Sequence, residues 1–186
     1  MKNKKLLIIL LLSLPFTYSY AKGESKENSS IELLQSINDN WNNSIEIDNR
    51  VDNNWQTPEE TYTKKKGQIE DLVIIKYFDL ISKGVPKENL KIAVADLESG
   101  KNKKKHIFLI CFDKQYNYVL DSVNSKVLDI KNRKDLKNIK AIMTHQGVFM
   151  KEKYSIAESL GWTTIRNKFN KHVMFLNEVN RKEKLK

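Results

Sequence analysis

A single cysteine, Cys111, in 186 residues leaves no material for an internal disulfide or for a cysteine-based zinc cluster. Only three histidines are present, at 106, 145 and 172, and their scatter speaks against a histidine metal site. No apolar run approaches the roughly 20 residues that span a bilayer as a helix. No internal repeat is evident, and the lysines carry no interleaved aromatic stripe of the kind that binds single-stranded nucleic acid. Nucleic acid is therefore excluded as a partner, and so is a large multidomain enzyme.

What is present is a chain that can fold. It is 40% hydrophobic and 30% charged, with 33 Lys+Arg against 23 Asp+Glu and a formal charge of +10. That apolar fraction argues against wholesale disorder. The excess positive charge would favour anionic surfaces.

The N-terminus reads as an export signal. Lys2, Lys4 and Lys5 precede a nine-residue, largely apolar stretch from Leu6 to Leu14, and Pro15 breaks it. Ser19-Tyr20-Ala21 supplies small residues where a signal peptidase reads them, so cleavage is expected after Ala21. The mature protein is then periplasmic or secreted, without an integral membrane segment. An uncleaved anchor is the alternative.

Residues 22–30 are polar and read as a disordered lead-in. Ile31, Leu34, Ile37 and Trp41 then mark an amphipathic helix, and the Asn/Asp-rich stretch 42–54 is expected to be irregular. Thr57-Pro58-Glu59-Glu60 is a helix start with a capping box and proline at the first helical position. Gly67 opens a second helix with Glu70 and Asp71 in its first turn, apolar nearly all round, stopped by Gly84 and Pro86. Strands follow over Leu90–Asp96, 105–113 and 116–121, with a fourth over Ile139–His145 and a closing helix over Ser155–Phe169. Helices first and a mostly antiparallel sheet after them make an α+β domain, expected over 31–170, with 171–186 as a basic tail.

Strand alternation places His106, Phe108 and Ile110 on one face and Ile107, Leu109 and Cys111 on the other. With a two-residue turn at Lys114-Gln115, Asp121 falls opposite Phe108 and diagonal to His106, within side-chain reach. A carboxylate so placed fixes an imidazole tautomer, as a general base requires. An ordinary cross-strand polar pair is the alternative reading. Cys111 points to the opposite face and lies about 16 Å along the strand from His106, so it cannot be that base's nucleophile. It reads as a buried, inert thiol.

Several ordered segments resemble the bacterial transglutaminase-like cysteine peptidases, a family that includes periplasmic proteases releasing large surface adhesins. They are Asn54-Trp55-Gln56-Thr57-Pro58-Glu59-Glu60, Gly67-Gln68-Ile69-Glu70-Asp71, Lys76-Tyr77-Phe78 and Gly84-Val85-Pro86. Lys105-His106-Ile107-Phe108-Leu109 is similar to the family's histidine strand, and Val119-Leu120-Asp121 to its aspartate strand. The resemblance implies a papain/transglutaminase-type core whose central helix packs on the sheet. It implies catalytic roles for His106 and Asp121, and a nucleophilic cysteine where this chain has Ile69. Isoleucine offers no nucleophile, and loss of one from a coupled triad costs on the order of a millionfold in turnover. The family's calcium site uses acids flanking the cysteine. Glu70 persists here, Gln68 replaces the other, and a neutral amide ligand weakens any calcium site.

The resemblance with its missing thiol implies a pseudo-peptidase, not an enzyme, that binds a peptide segment of an envelope or surface protein. The expected groove is bordered by Trp55, Gln68, Ile69, His106 and Asp121. Two other classes stay open. One is a hydrolase using Thr63, or a water activated by His106. The other is a basic structural protein of the envelope, suggested by the lysine-rich C-terminus.

Overall fold

The computed structural model describes residues 23–49, 54–150 and 156–185. The expected signal segment lies outside them. Helix α1 runs from Gly23 to Ser44, so most of the expected lead-in forms the first turns of this helix. Strand β1 (Glu46–Ile47) pairs in parallel with β2 (Lys66–Gly67), giving order to part of the segment expected to be irregular. Between them lies α2 (Pro58–Lys64). The Thr57 side chain accepts from Glu60 N–H, and the Glu60 carboxylate accepts from Thr57 N–H, as the capping-box spacing predicts.

Helix α3 (Ile69–Ser82) is the central element. It begins two residues after Gly67, because Gly67 is spent on pairing with Ile47. A Cβ on Gly67 would lie 2.9 Å from the Asp71 Cβ, so the close approach of strand to helix requires glycine. Asp71 holds that junction: its carboxylate accepts from Gln56 N–H at 2.7 Å and Gln68 N–H at 2.8 Å. Gly84, in the left-handed region, ends the helix run before Pro86. Leu72, Val73, Ile74, Ile75, Tyr77, Phe78 and Leu80 are all buried, which is what an all-round apolar helix predicts.

The sheet contains β3 (Leu90–Ser99), β4 (Asn102–Phe112), β5 (Asn117–Leu120), β6 (Leu128–Asp129), β7 (Leu136–Met143) and β8 (Val148–Met150). Their spatial order is β6-β5-β4-β3-β7-β8, with every neighbouring pair antiparallel. The fourth expected strand is β7, shifted toward the N-terminus, while the short β6 and β8 carry too few residues to announce themselves. One face of the sheet packs Ile92, Val94, Ile107, Leu109, Cys111 and Leu120 into the main core with α1 and α3. The other carries a smaller cluster of Ala93, Ala95, Phe108, Ile110 and Val119. Helices first and an antiparallel sheet after them confirm the α+β architecture.

Helices α4 (Ile156–Arg166) and α5 (Phe169–Glu183) close the chain. Residues 171–186, expected as a solvated tail, are mostly α5. His172, Leu176 and Val179 are buried there, and Asn180 donates to Asp79 Oδ1 on α3 at 2.9 Å. The folded unit therefore extends past residue 170.

Candidate functional site

The β4–β5 turn sets the site. Asp113 N–H donates to Tyr116 O at 2.8 Å across Lys114-Gln115, and Phe112 pairs with Asn117 and Leu109 with Leu120. One further step of that register puts Asp121 opposite Phe108. The structure completes the inference: His106 Nε2 lies 2.7 Å from Asp121 Oδ1, and the two side chains are 1% and 0% exposed. His106 stands opposite Ala95 and its ring stacks on Phe108, so it belongs to the sheet face of the smaller cluster.

The electrostatics fix the proton. Burial pushes the Asp121 carboxyl up, but the bond and charge of His106, the Val123 N–H and the Arg133 guanidinium outweigh it and bring it down to about 2. An ionised carboxylate only accepts, so Nε2 is the protonated ring nitrogen and Nδ1 is turned elsewhere. The arrangement is that of an oriented base.

Three residues of this neighbourhood were missed in the sequence. Arg133 Nη2 sits 2.7 Å from Asp121 Oδ2. Asn42 Nδ2 donates to the Asp121 carbonyl at 2.8 Å, and Lys76 Nζ reaches the same oxygen at 3.4 Å. Lys76 is fully buried, donating also to Asn38 Oδ1 at 2.8 Å and Asn42 Oδ1 at 2.6 Å. Burial pulls its ammonium down to about 7, against the opposing pull of Asp121 and Asp39. Its place in the middle of an apolar helix was the available signal.

Ile69 opens α3 and is half-buried against the main core. Gln68 precedes it as the N-cap residue, buried, and Glu70 follows, half-buried. Burial pulls the Lys105 ammonium down, and the charge of Glu70 partly offsets that. Trp55 is half-buried and packs against the core, its indole against Gly161 of α4. A cavity of about 630 Å³ lies past the other end of α3, lined by Leu33, Val85, Pro86, Cys111 and Tyr116; Trp55, Gln68 and Ile69 do not line it. Helix α3 has 14 residues, or about 21 Å of length between the two ends.

Burial pushes the Cys111 thiol up to about 11, with Asp113 adding to it, so the one cysteine is inert as expected. Thr63 is exposed on α2. Among the described residues no group of three or more His, Cys, Asp or Glu is placed to hold a metal ion. Nor is any described helix long and apolar enough to cross a membrane.

The family model of the bacterial transglutaminase-like cysteine proteinases matches residues 17–151. Among solved structures, LapG of Legionella pneumophila is 27% identical, with a TM-score of 0.60 over 75% of this chain and 78% of that one. Its calcium-bound form is 27% identical with a TM-score of 0.58, covering 70% and 77% of the two chains. Its EGTA-treated form is 28% identical with a TM-score of 0.59, covering 73% and 77%. No curated protein matches the chain.

Proposed function

The chain belongs to the bacterial transglutaminase-like cysteine proteinases, and from that premise we propose that it is an exported, non-cleaving member that binds a peptide segment of an envelope or surface protein. One observation carries this reading. The first residue of α3, where the family resemblance puts the nucleophile, is Ile69, while the His106–Asp121 pair is intact. A thiolate at a helix N-terminus is what the family's acyl transfer needs, and isoleucine has none to give. In its place stands an apolar side chain worth up to about 1.5–3 kcal/mol when a ligand buries it. The N-terminal Lys2–Ala21 pattern supports export.

The calcium of the LapG structure does not carry over. Gln68 is neutral, Asp71 spends both oxygens on backbone N–H groups, and Glu70 lies within the field of the Lys105 ammonium. That donor set does not fit a divalent ion that takes six to eight oxygen ligands. On these grounds we propose that the weakened site expected at Gln68 and Glu70 holds calcium too poorly to matter for stability.

The test uses N-terminal fragments of the organism's own large secreted adhesins, with the native protein and Ile69→Cys side by side. Binding is read by calorimetry and cleavage by mass spectrometry. The expected outcome is saturable binding without cleavage by the native protein. Cutting by the native protein overturns the reading, and so does an absence of binding to any fragment. Cutting by Ile69→Cys alone would identify the retained pair as a working base that lacks only its thiol.

A further inference from the structure

Asp121 is gripped from both ends. Its carboxylate takes His106 Nε2 at 2.7 Å and Val123 N–H at 3.0 Å on Oδ1, and Arg133 stands at 2.7 Å from Oδ2. Its carbonyl takes Asn42 and Lys76. Arg133 is itself forked onto Asp135: Nε donates at 2.9 Å and Nη2 at 2.8 Å. Side-chain exposure along this line runs from 1% at His106 through 0% at Asp121 and 2% at Arg133 to 37% at Asp135. The buried imidazole is thus joined to the surface by three ionisable groups in sequence.

A guanidinium kept only to hold the chain together would use its donors. Arg133 Nη1 is buried without a hydrogen-bond partner among the described residues, and the same holds for Ser122 Oγ and for Asp121 Oδ2, which Arg133 Nη2 meets as an ion pair outside hydrogen-bond geometry. Unsatisfied buried polar groups call for a reason beyond stability, and buried ions hold a chain together less well than apolar residues of the same volume. What the guanidinium does supply is direction. Standing 2.7 Å from the second oxygen, it fixes the turn of the carboxylate, so that the first oxygen faces His106 and Val123 N–H. We infer that Arg133 is the positioning residue of this site, holding the His106 ring through Asp121 in the Nε2–H tautomer. Asp135 steadies Arg133 from the surface. The inference is independent of whether the chain cleaves, binds or does neither.

The tautomer is directly readable. Long-range 1H–15N correlation spectra of the full chain report which ring nitrogen of His106 carries the proton, and hydrogen exchange reports how firmly it is held. The unmodified protein is expected to show Nε2–H alone, with a slowly exchanging proton. In Arg133→Gln both tautomers appear and that proton exchanges about tenfold faster, the scale of losing one buried charged contact. Arg133→Lys, which keeps the charge, restores most of the protection, and Asp135→Asn gives a smaller loss in the same direction. If Arg133→Gln does not fold, the Lys and Asn variants carry the test. A tautomer and exchange rate unchanged in every folded variant, with only the melting temperature lowered, would make Arg133 a structural staple and overturn the inference. So would a failure of Arg133→Lys to protect better than Arg133→Gln.

Discussion

The first turn of α3 and the β4–β5 pair, which the family resemblance would join in one site, differ in what a substitution there would disturb. Ile69 opens a helix whose junction is held by other residues, Asp71 and Gly67, and it is only half-buried. A cysteine can be exchanged for isoleucine there without stranding a charge. His106 and Asp121 sit in a buried network with Arg133, where loss of Asp121 would strand the buried imidazole and leave Arg133 held by Asp135 alone. Retention of a catalytic-looking pair is therefore weak evidence for catalysis, because its burial alone would preserve it. The absent thiol is the stronger evidence, since the fold would tolerate its presence.

The comparison is broken most directly by Asp121→Ala. It removes the acceptor of His106 and one of the two carboxylates on Arg133 at once, and the expected loss is about 3–5 kcal/mol in urea unfolding. Asp121→Asn tests the charge separately. With the folded carboxyl at about 2 and the unfolded one at about 3.9, Asp121 contributes stability that is present above pH 4. That stability is lost as pH falls toward 2, and Asp121→Asn should flatten this acid limb. An acid limb of unchanged slope would mean that the pair contributes no stability and that retention has another cause.

Lys76 gives the next largest effect, with the same sign of slope in a higher pH window. Its folded value of about 7 lies below the roughly 10.4 of an unfolded lysine, so between these the unfolded chain binds more protons. Stability should rise by a few kcal/mol from pH 7 to 10 on its account. Lys76→Met should flatten that rise. Above pH 10 the trend reverses, because burial and the charge of Glu88 hold the Tyr77 hydroxyl above the usual range while unfolded tyrosine ionises. Unfolding midpoints at pH 7, 8.5 and 10 for both proteins decide this, and parallel curves would refute it.

At the start of α3 the sharpest structural test is Gly67→Ala. The added methyl meets Asp71 at 2.9 Å, and the expected cost is about 1–3 kcal/mol. Ile69→Cys should cost about 1 kcal/mol or less from a half-buried position. If Ile69→Cys proved the more damaging of the two, the first turn would depend on the isoleucine itself, and the contrast with the β4–β5 pair would fail.

Much of this was legible because local rules fixed it. The Thr57–Glu60 capping box, the stop at Gly84, and the two-residue turn that sets Asp121 diagonal to His106 each depend on neighbours in sequence. What escaped depends on distant partners. Arg133 follows a short helical turn with no periodic pattern to place it, and it reaches Asp121 only through the fold. Lys76 is charged and reads as exposed until Asn38 and Asn42 of α1 are packed over it. Helix α5 was hidden by its lysines, although the spacing of His172, Leu176 and Val179 marks a buried helical stripe.

The smallest effect expected is none at all, and it bears on the same contrast. A calcium site at the start of α3 would raise the unfolding free energy by about 2.7 kcal/mol at a hundredfold excess over the dissociation constant. For this chain, 10 mM calcium against chelator should leave the melting temperature unchanged, because Gln68 brings no charge and the Asp71 oxygens are already occupied. Ionic strength must be matched between the two arms, since a net charge of +10 responds to salt by itself. The variant Gln68→Asp restores the missing acid beside Glu70. A calcium-dependent rise in that variant alone would show that one side chain separates this helix start from a calcium-binding one. A rise in the unmodified protein would mean that the first turn of α3 has kept the family's ion while losing its thiol, and the two halves of the site would then differ in one residue only.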